Sequence, residues 1–492
     1  MKNSKLISNT LANYLSKLWA ITSIYVFVPF YIKILGIENY GIITFQTIIF
    51  SFVYIADAGL SAAFSRECAR TESRLHLRPL LLTLEKTISM VLLLVLSIVY
   101  FSAEWLANYW LNSNGEMNPE VIEYCIKLMA IGMGPQILMA LYFGGLMGLE
   151  RQSEANLIHV IYGFFRSAIV LLPLVLIPKI EVYFYWYILV SIVFCLVFRI
   201  RLLSYIGCSS SNRNKESHIS ALKKVAGFST GMLALSIMSA LINQMDKIFV
   251  SGRFDLSDLS SYNLASILSQ SPYFLTLPIA VAVLPRITNL LSLGEYEDKD
   301  TLYLRASIII SVVSSLVCFN VYFYLKDISS IWLGAVTAST VQELAPYLLF
   351  GNLFLSLQLM PFQLAIANGH NMTSVKLGII NIFLYLPLLY YFSEMFGLLG
   401  ATIPWLIINA LNFILLSIFI NKRYCSGNYL TWLFICCLKP VLIIFSIVYI
   451  GVFINVSFGF EIGSILSIPY ASLFSLIALL VVYVFNFKDL KR

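Results

Sequence analysis

Six basic residues stand inside long apolar runs of the chain: Lys17, Lys86, Lys127, Arg166, Lys247 and Lys439. Few acids share those surroundings, chiefly Asp57 and Asp246, with Glu85 near one end of its run. A charge at the centre of a bilayer costs at least ~2.5–3.5 kcal/mol on insertion scales, so such a residue normally faces a cavity or a partner. Arg166 lies roughly eleven residues from either end of its run, which at ~1.5 Å of rise per residue is close to mid-depth. Lys439 lies about ten residues in, next to Pro440, which weakens the local helix and frees a carbonyl. Lys17 and Lys127 sit about two turns in, and Lys86 is near enough to its boundary for its stem to reach water. Asp246 and Lys247 are neighbours and point about 100° apart, so they need not pair with each other.

The chemistry open to this set is electrostatic. A basic excess inside a membrane favours an anionic cargo or headgroup, whereas a site for cations needs the opposite sign. Arg166, Lys247, Lys439, Lys17 and Lys127 are therefore the candidate substrate-binding residues. Asp57 and Asp246 are candidates for carrying a coupling ion or for an ion pair that ties two helices together. His159, alone in an apolar stretch, reads more readily as a packing residue than as a ligand. The eight cysteines show no metal or redox spacing and behave as small apolar residues. We expect no metal, no cofactor and no catalytic residue.

The elements that hold these charges follow from composition. Of 492 residues, 59% are apolar and 12% charged, against roughly 45–50% and 25% in soluble domains. The mean hydropathy is +0.85. A soluble enzyme, a disordered chain and a secreted disulfide scaffold are excluded. The net charge of +7 is spread over short segments between apolar runs, unlike the concentrated face of a nucleic-acid binder. A membrane helix needs about 20 mostly apolar residues. Fourteen runs meet that need: 10–35, 41–65, 80–101, 121–149, 155–178, 182–203, 224–251, 257–289, 303–325, 341–369, 372–393, 398–421, 429–456 and 463–487. They are too long, and lack the alternation, for the strands of a membrane barrel. The first run continues to Ile34 without a small-residue cleavage site, so we read it as a span and not as a cleaved signal.

Charge outside the runs sets the orientation. With the N-terminus in the cytoplasm, most of the 32 basic residues fall on the inner side. Only Lys33, Lys179, Arg253 and Lys326 fall outside, which by the positive-inside rule supports fourteen spans with both ends in the cytoplasm. The polar gaps are too short for an extramembrane domain, and there is no G-x-x-x-x-G-K-[ST] phosphate loop.

The chain also repeats itself. Phe30–Ile34 compares with Met245–Ile248, Arg66 with Arg286, and Leu146–Leu149 with Ile366–Gly369, in the same order at nearly constant offset. Two parallel six-helix halves facing a cavity form a transporter layout. We expect an all-α polytopic membrane protein: an N-terminal bundle over 1–205, a cytoplasmic linker over 206–223, a C-terminal bundle over 224–422 and an additional helix pair over 429–487. The pairs Gly144/Gly148, Gly227/Gly231 and Gly459/Gly463 suit close helix packing. Pro29, Pro135, Pro173, Pro278, Pro285, Pro361, Pro387 and Pro404 could break the helices that contain them.

Several short strings carry a resemblance. They are Val28-Pro29-Phe30 through Leu35-Gly36, Tyr40-Gly41, Asp57-Ala58-Gly59-Leu60-Ser61 with Ser65-Arg66-Glu67, Asp246-Lys247-Ile248, and Leu277-Pro278 with Leu284-Pro285-Arg286. Over about the first 420 residues the chain resembles the Wzx-type polysaccharide flippases, whose superfamily also holds multidrug and toxin extrusion transporters and lipid II flippases. The resemblance implies two six-helix bundles around a central cavity that opens alternately to either side. It implies a cargo of undecaprenyl-diphosphate carrying one O-antigen or capsule repeat unit, flipped to the periplasmic leaflet of the bacterial inner membrane. It also implies coupling to a proton or sodium gradient, and a polysaccharide polymerase and chain-length regulator as working partners. A cationic interior suits the diphosphate, and an arginine binds phosphate through two parallel hydrogen bonds. Many of these flippases have twelve spans. A further pair is similar to that of lipid II flippases, where it forms a groove for the lipid tail, so a lipid II flippase is the alternative. A membrane polysaccharide polymerase and a drug–cation antiporter are the more distant rivals.

Overall fold

The computed structural model describes residues 2–57, 59–70, 77–113, 117–207, 237–238, 240–369, 371–425 and 429–457. Among these the chain is helical nearly throughout; the only β feature is a single isolated bridge between Asn112 and Asp255. Twelve helices are long and apolar enough to cross a membrane. They run from Leu18–Leu35 and Ile37–Asp57 through to Ile403–Tyr424 and Tyr429–Ile454. Twelve of the fourteen expected runs coincide with them one for one. Of the other two, 463–487 and much of 224–251 lie outside the described residues, although 240–253 is helical.

Several runs that read as unbroken are interrupted. The run 41–65 divides into the helix Ile37–Val53, a 3-10 turn Tyr54–Asp57 and the helix Leu60–Arg70. Gly59, with φ of 71°, makes a bend that residues with a Cβ rarely adopt. The run 155–178 contains a π-turn at Phe165–Ile169, and 341–369 breaks between Leu357 and Leu359. The prolines divide into two groups. Pro29, Pro135, Pro278, Pro285 and Pro387 ride inside continuous helices. Pro173, Pro361 and Pro404 fall in the first turn after an interruption, where a residue without an N–H costs no hydrogen bond.

The chain forms two compact units, Met1–Ser260 and Ser261–Arg492. At the centre of the first is the helix Pro119–Gly148, which uses small residues on two faces. A Cβ on Gly144 or Gly148 would press on the carbonyl oxygens of Ser61 and Ser65 in the helix Leu60–Arg70. One on Gly132 or Gly145 would enter the Tyr187 ring or the Leu202 side chain of the helix Ile180–Ile206. The Gly144/Gly148 pair therefore brings two backbones together, as its spacing predicts; the other two Gly-xxx-Gly pairs lie outside the described residues. Glu85 and Arg199 join the helices Leu77–Phe101 and Ile180–Ile206 through two parallel hydrogen bonds of 2.9 and 3.2 Å.

The first unit extends past the expected linker. Trp110 Nε1 donates to Ser251 Oγ at 3.1 Å, and the Leu256 N–H donates to the Asn112 carbonyl at 3.0 Å. Gly41 leaves room for the Leu256 carbonyl, which a Cβ there would meet at 2.3 Å. In the second unit, the helix Tyr296–Phe323 places Ser307, Ser311, Ser314 and Ser315 in the interior, and the first of the additional C-terminal helices packs on it. Trp432 stacks on Tyr303 at 6.1 Å and donates to Ser307 Oγ at 3.2 Å. Cys436, Cys437, Ile444 and Val448 continue the same core.

Candidate functional site

The first unit encloses a cavity of about 460 Å³. Five helices line it, four of them at regular helical spacing and the helix Ile180–Ile206 through Tyr183. His159, Tyr162, Gly163, Arg166 and Ser167 come from the fifth span, and Ser16, Trp19, Ala20 and Ser23 from the first. Gln136, Met139, Ala140 and Phe143 come from the helix Pro119–Gly148, and Thr47, Phe50 and Tyr54 from the second span and the turn that ends it. The spacing i, i+3, i+4, i+7 puts each set on one helix face. Those faces carry the polar groups that a lipid-facing surface excludes.

Arg166 belongs to the π-turn Phe165–Ile169, which takes in one surplus residue. Such turns displace the usual backbone pairing and are frequent at functional sites. Two side chains meet carbonyls of this turn: Trp186 Nε1 donates to Phe165 O at 2.9 Å, and Tyr31 Oη donates to Ser167 O at 2.6 Å. The guanidinium lies over the Tyr187 ring at 5.4 Å, a cation–π arrangement worth up to ~2 kcal/mol when desolvated. The Tyr187 hydroxyl donates to Gln136 Oε1, and Tyr31 and Tyr183 meet edge to face at 5.9 Å. Arg166 forms no ion pair among the described residues, and no carboxylate lines the cavity. Two neutral donors in the same wall are also without partners: Trp19 Nε1 and Tyr162 Oη. Each such buried group costs about 1–3 kcal/mol while unsatisfied.

The other expected site residues are placed differently. Lys127 pairs with Glu123, four residues earlier on its own helix, and lies over the Tyr100 ring at 5.4 Å; it does not line the cavity. Asp57 is buried and accepts the Ser61 N–H at 3.2 Å and the Ser61 hydroxyl, which serves the open N–H groups at the start of the helix Leu60–Arg70. Asp246 is buried, and its Oδ1 accepts the backbone N–H of Lys247 at 2.8 Å. Lys247 is half-buried on the segment that packs with the first unit. Lys439 belongs to the second unit, half-buried where the helix Lys439–Ser457 leaves the π-turn Leu433–Leu438. The Lys17 side chain lies outside the described residues. Lys86 is exposed.

His159 is in the cavity wall, its ring 5.4 Å from Phe143 and 6.1 Å from Tyr162. Trp19 and Tyr162 carry no sequence signal that separates them from the other aromatics; only their unpartnered atoms single them out. A buried cation also went unnoticed. Lys299, 2% exposed, reaches Asp300 at 2.6 Å and donates to the carbonyl of Tyr424. That carbonyl closes the helix Ile403–Tyr424, where the helix dipole favours positive charge. Among the described residues no cluster of His, Cys, Asp and Glu could hold a metal ion.

Twelve apolar helices among the described residues, in a fold shared with solved transporters, define a multi-pass membrane protein. Over 99% of its length the chain superposes on all of "Lipid II flippase MurJ, inward closed conformation", with a TM-score of 0.73 and 14% identity. Over 84% it superposes on 96% of an inward-facing multidrug resistance MATE family transporter, with a TM-score of 0.61 and 16% identity. The family model described as "Polysaccharide biosynthesis protein" matches residues 4–291, more than half of the chain. The chain belongs to that family. It is also 25% identical, over 80% of its length and 92% of the relative's, to a Shigella flexneri protein named "Putative O-antigen transporter".

Proposed function

We propose that the protein is a flippase. It carries polyprenyl-diphosphate-linked oligosaccharide repeat units from the cytoplasmic to the periplasmic leaflet of the inner membrane by alternating access, with both termini in the cytoplasm and an ion gradient as the driving force. Arg166 carries this reading: a guanidinium inside the membrane, in an aromatic cavity, with no acid to answer it. A polyanionic headgroup supplies the missing partner, and arginine meets phosphate in a bidentate fashion. Membership of the polysaccharide biosynthesis family and the likeness to an O-antigen transporter support the choice of cargo. Cells that lack the gene should accumulate single completed repeat units on the inner leaflet and lose surface polysaccharide. Repeat units that reach the outer leaflet but stay single would instead identify a polymerase.

A lipid II flippase is the second reading, favoured by the superposition on the MurJ fold through 99% of the chain. Both cargoes present a diphosphate, so Arg166 serves either. The same deletion separates them, because lipid II trapped on the inner leaflet would replace the repeat unit. Within the first reading, Arg166→Ala should abolish export while the protein stays folded in the membrane, and Arg166→Lys should restore only part of it, since lysine keeps the charge and loses the fork.

A further inference from the structure

We propose that the cavity of the first unit is a sugar-phosphate site, in which Arg166 holds the phosphate next to the sugar while Trp19 and Tyr162 bond hydroxyls of the first pyranose ring. The proposal rests on the flippase reading and specifies which part of the cargo this unit recognises. Size is the first consideration. About 460 Å³ lies within the range of roughly 300–1,000 Å³ for small-ligand sites and suits a headgroup fragment, not a polyprenyl chain with a whole repeat unit.

Chemistry is the second. A bare phosphate would engage the polar groups but leave the apolar ring faces of the wall without a partner. A cation would find no carboxylate in the wall. An apolar ligand would satisfy none of the three groups. A sugar 1-phosphate uses all of them: two anionic oxygens for the guanidinium, hydroxyl oxygens for the two donors, and the apolar faces of the ring against Trp19, Phe143 and Tyr183.

Access is the third. Tyr162 is 4% exposed, and neither donor atom reaches open space in this state. The Trp19 indole rests on Gly163, where even one added carbon would lie 3.2 Å from Nε1. Ligand entry must therefore turn the indole N–H and the phenol from these packed positions toward the cavity, and that turn makes Trp19 and Tyr162 determinants of which sugar is accepted.

The test is calorimetric titration of the purified full chain in detergent. The probes are the 1-phosphates of glucose, galactose, N-acetylglucosamine and N-acetylgalactosamine, with the free sugars and inorganic phosphate as comparisons. At least one sugar phosphate should bind tenfold or more tightly than inorganic phosphate. Arg166→Gln should weaken both ligands at least tenfold. Tyr162→Phe keeps the ring and Trp19→Phe keeps an aromatic side chain of smaller size, and thermal melting checks the fold of both. They should weaken the sugar phosphate three- to tenfold and inorganic phosphate less. Equal binding of all phosphates, or indifference of the sugar phosphate to both aromatic variants, overturns the site. Those results would leave the flippase reading standing, since that reading is decided separately by which lipid-linked sugar the gene deletion traps on the inner leaflet.

Discussion

Asp57 accepts two hydrogen bonds from a single residue, Ser61: one from the backbone N–H at 3.2 Å and one from the hydroxyl. This pairing restarts the helix after the break at residues 54–59. An intramembrane carboxylate that reads as a carrier of coupling ions thus has a local structural task. Because Asn caps a helix start about as well as Asp, Asp57→Asn should keep export and thermal stability. Asp57→Ala should destabilise by about 0.5–2 kcal/mol. A folded Asp57→Asn protein with no export would instead assign the carboxylate to ion coupling.

The helix Pro119–Gly148 supplies a contrast between two glycines. A Cβ at Gly148 meets the Ser65 carbonyl oxygen at 2.2 Å, whereas at Gly134 it meets only the Leu96 Cδ1 at 3.2 Å. Overpacking against backbone costs about 1–3 kcal/mol, while Gly to Ala in a helix gains up to ~1 kcal/mol where there is space. Gly148→Ala should lower the melting temperature in detergent, and Gly134→Ala should not.

Glu85 and Arg199 should be strongly non-additive. Their bidentate pair is only partly screened, with Glu85 14% and Arg199 38% exposed at the side chain. Arg199→Ala strands the more buried partner and should cost about 1–3 kcal/mol. Removing both residues should cost less than removing Arg199 alone. A double-mutant cycle by chemical or thermal unfolding measures the difference, and simple additivity would count against the pairing.

Trp110 ties the segment around Ser251 to the first unit through its indole N–H. Trp110→Phe removes the hydrogen bond, at a cost of about 0.5–1.5 kcal/mol, together with the indole atoms that lie over Gly252. Amide exchange over residues 240–253 should quicken in this variant while the helix Ile180–Ile206 stays protected. Uniform change across both would show that the bond does not act locally.

The spans were legible because a bilayer leaves the chain little choice: each crossing needs a long apolar stretch. Whether a charge already had a partner could be read for Lys127, since Glu123 stands four residues earlier at the spacing of a helical ion pair. It could not be read for Arg166, because an answering carboxylate could have come from any other helix. The breaks at residues 54–59 and 165–169 depend on backbone geometry that an apolar run does not encode. The role of Trp19 depends on Gly163, 144 positions away, where nothing in the local sequence marks the contact. The contacts of Ser251 and Leu256 with Trp110, Asn112 and Gly41 join residues far apart in the chain, and no local string marks them.

The π-turn at Phe165–Ile169 makes the chain unusually sensitive to its own residue count at one place. One surplus residue is absorbed there, so deleting a single residue from the turn would relax it to ordinary α geometry without shortening the span by more than ~1.5 Å. The flanking turns would keep their register, because the surplus residue is already absorbed, and the change would fall on the turn itself, which sets where Arg166 points. A change too small to alter hydropathy, topology or membrane insertion would thus turn the cation away from the tyrosines that surround it. Such indels, more than substitutions, are where homologues with the same spans could part in the cargo they accept.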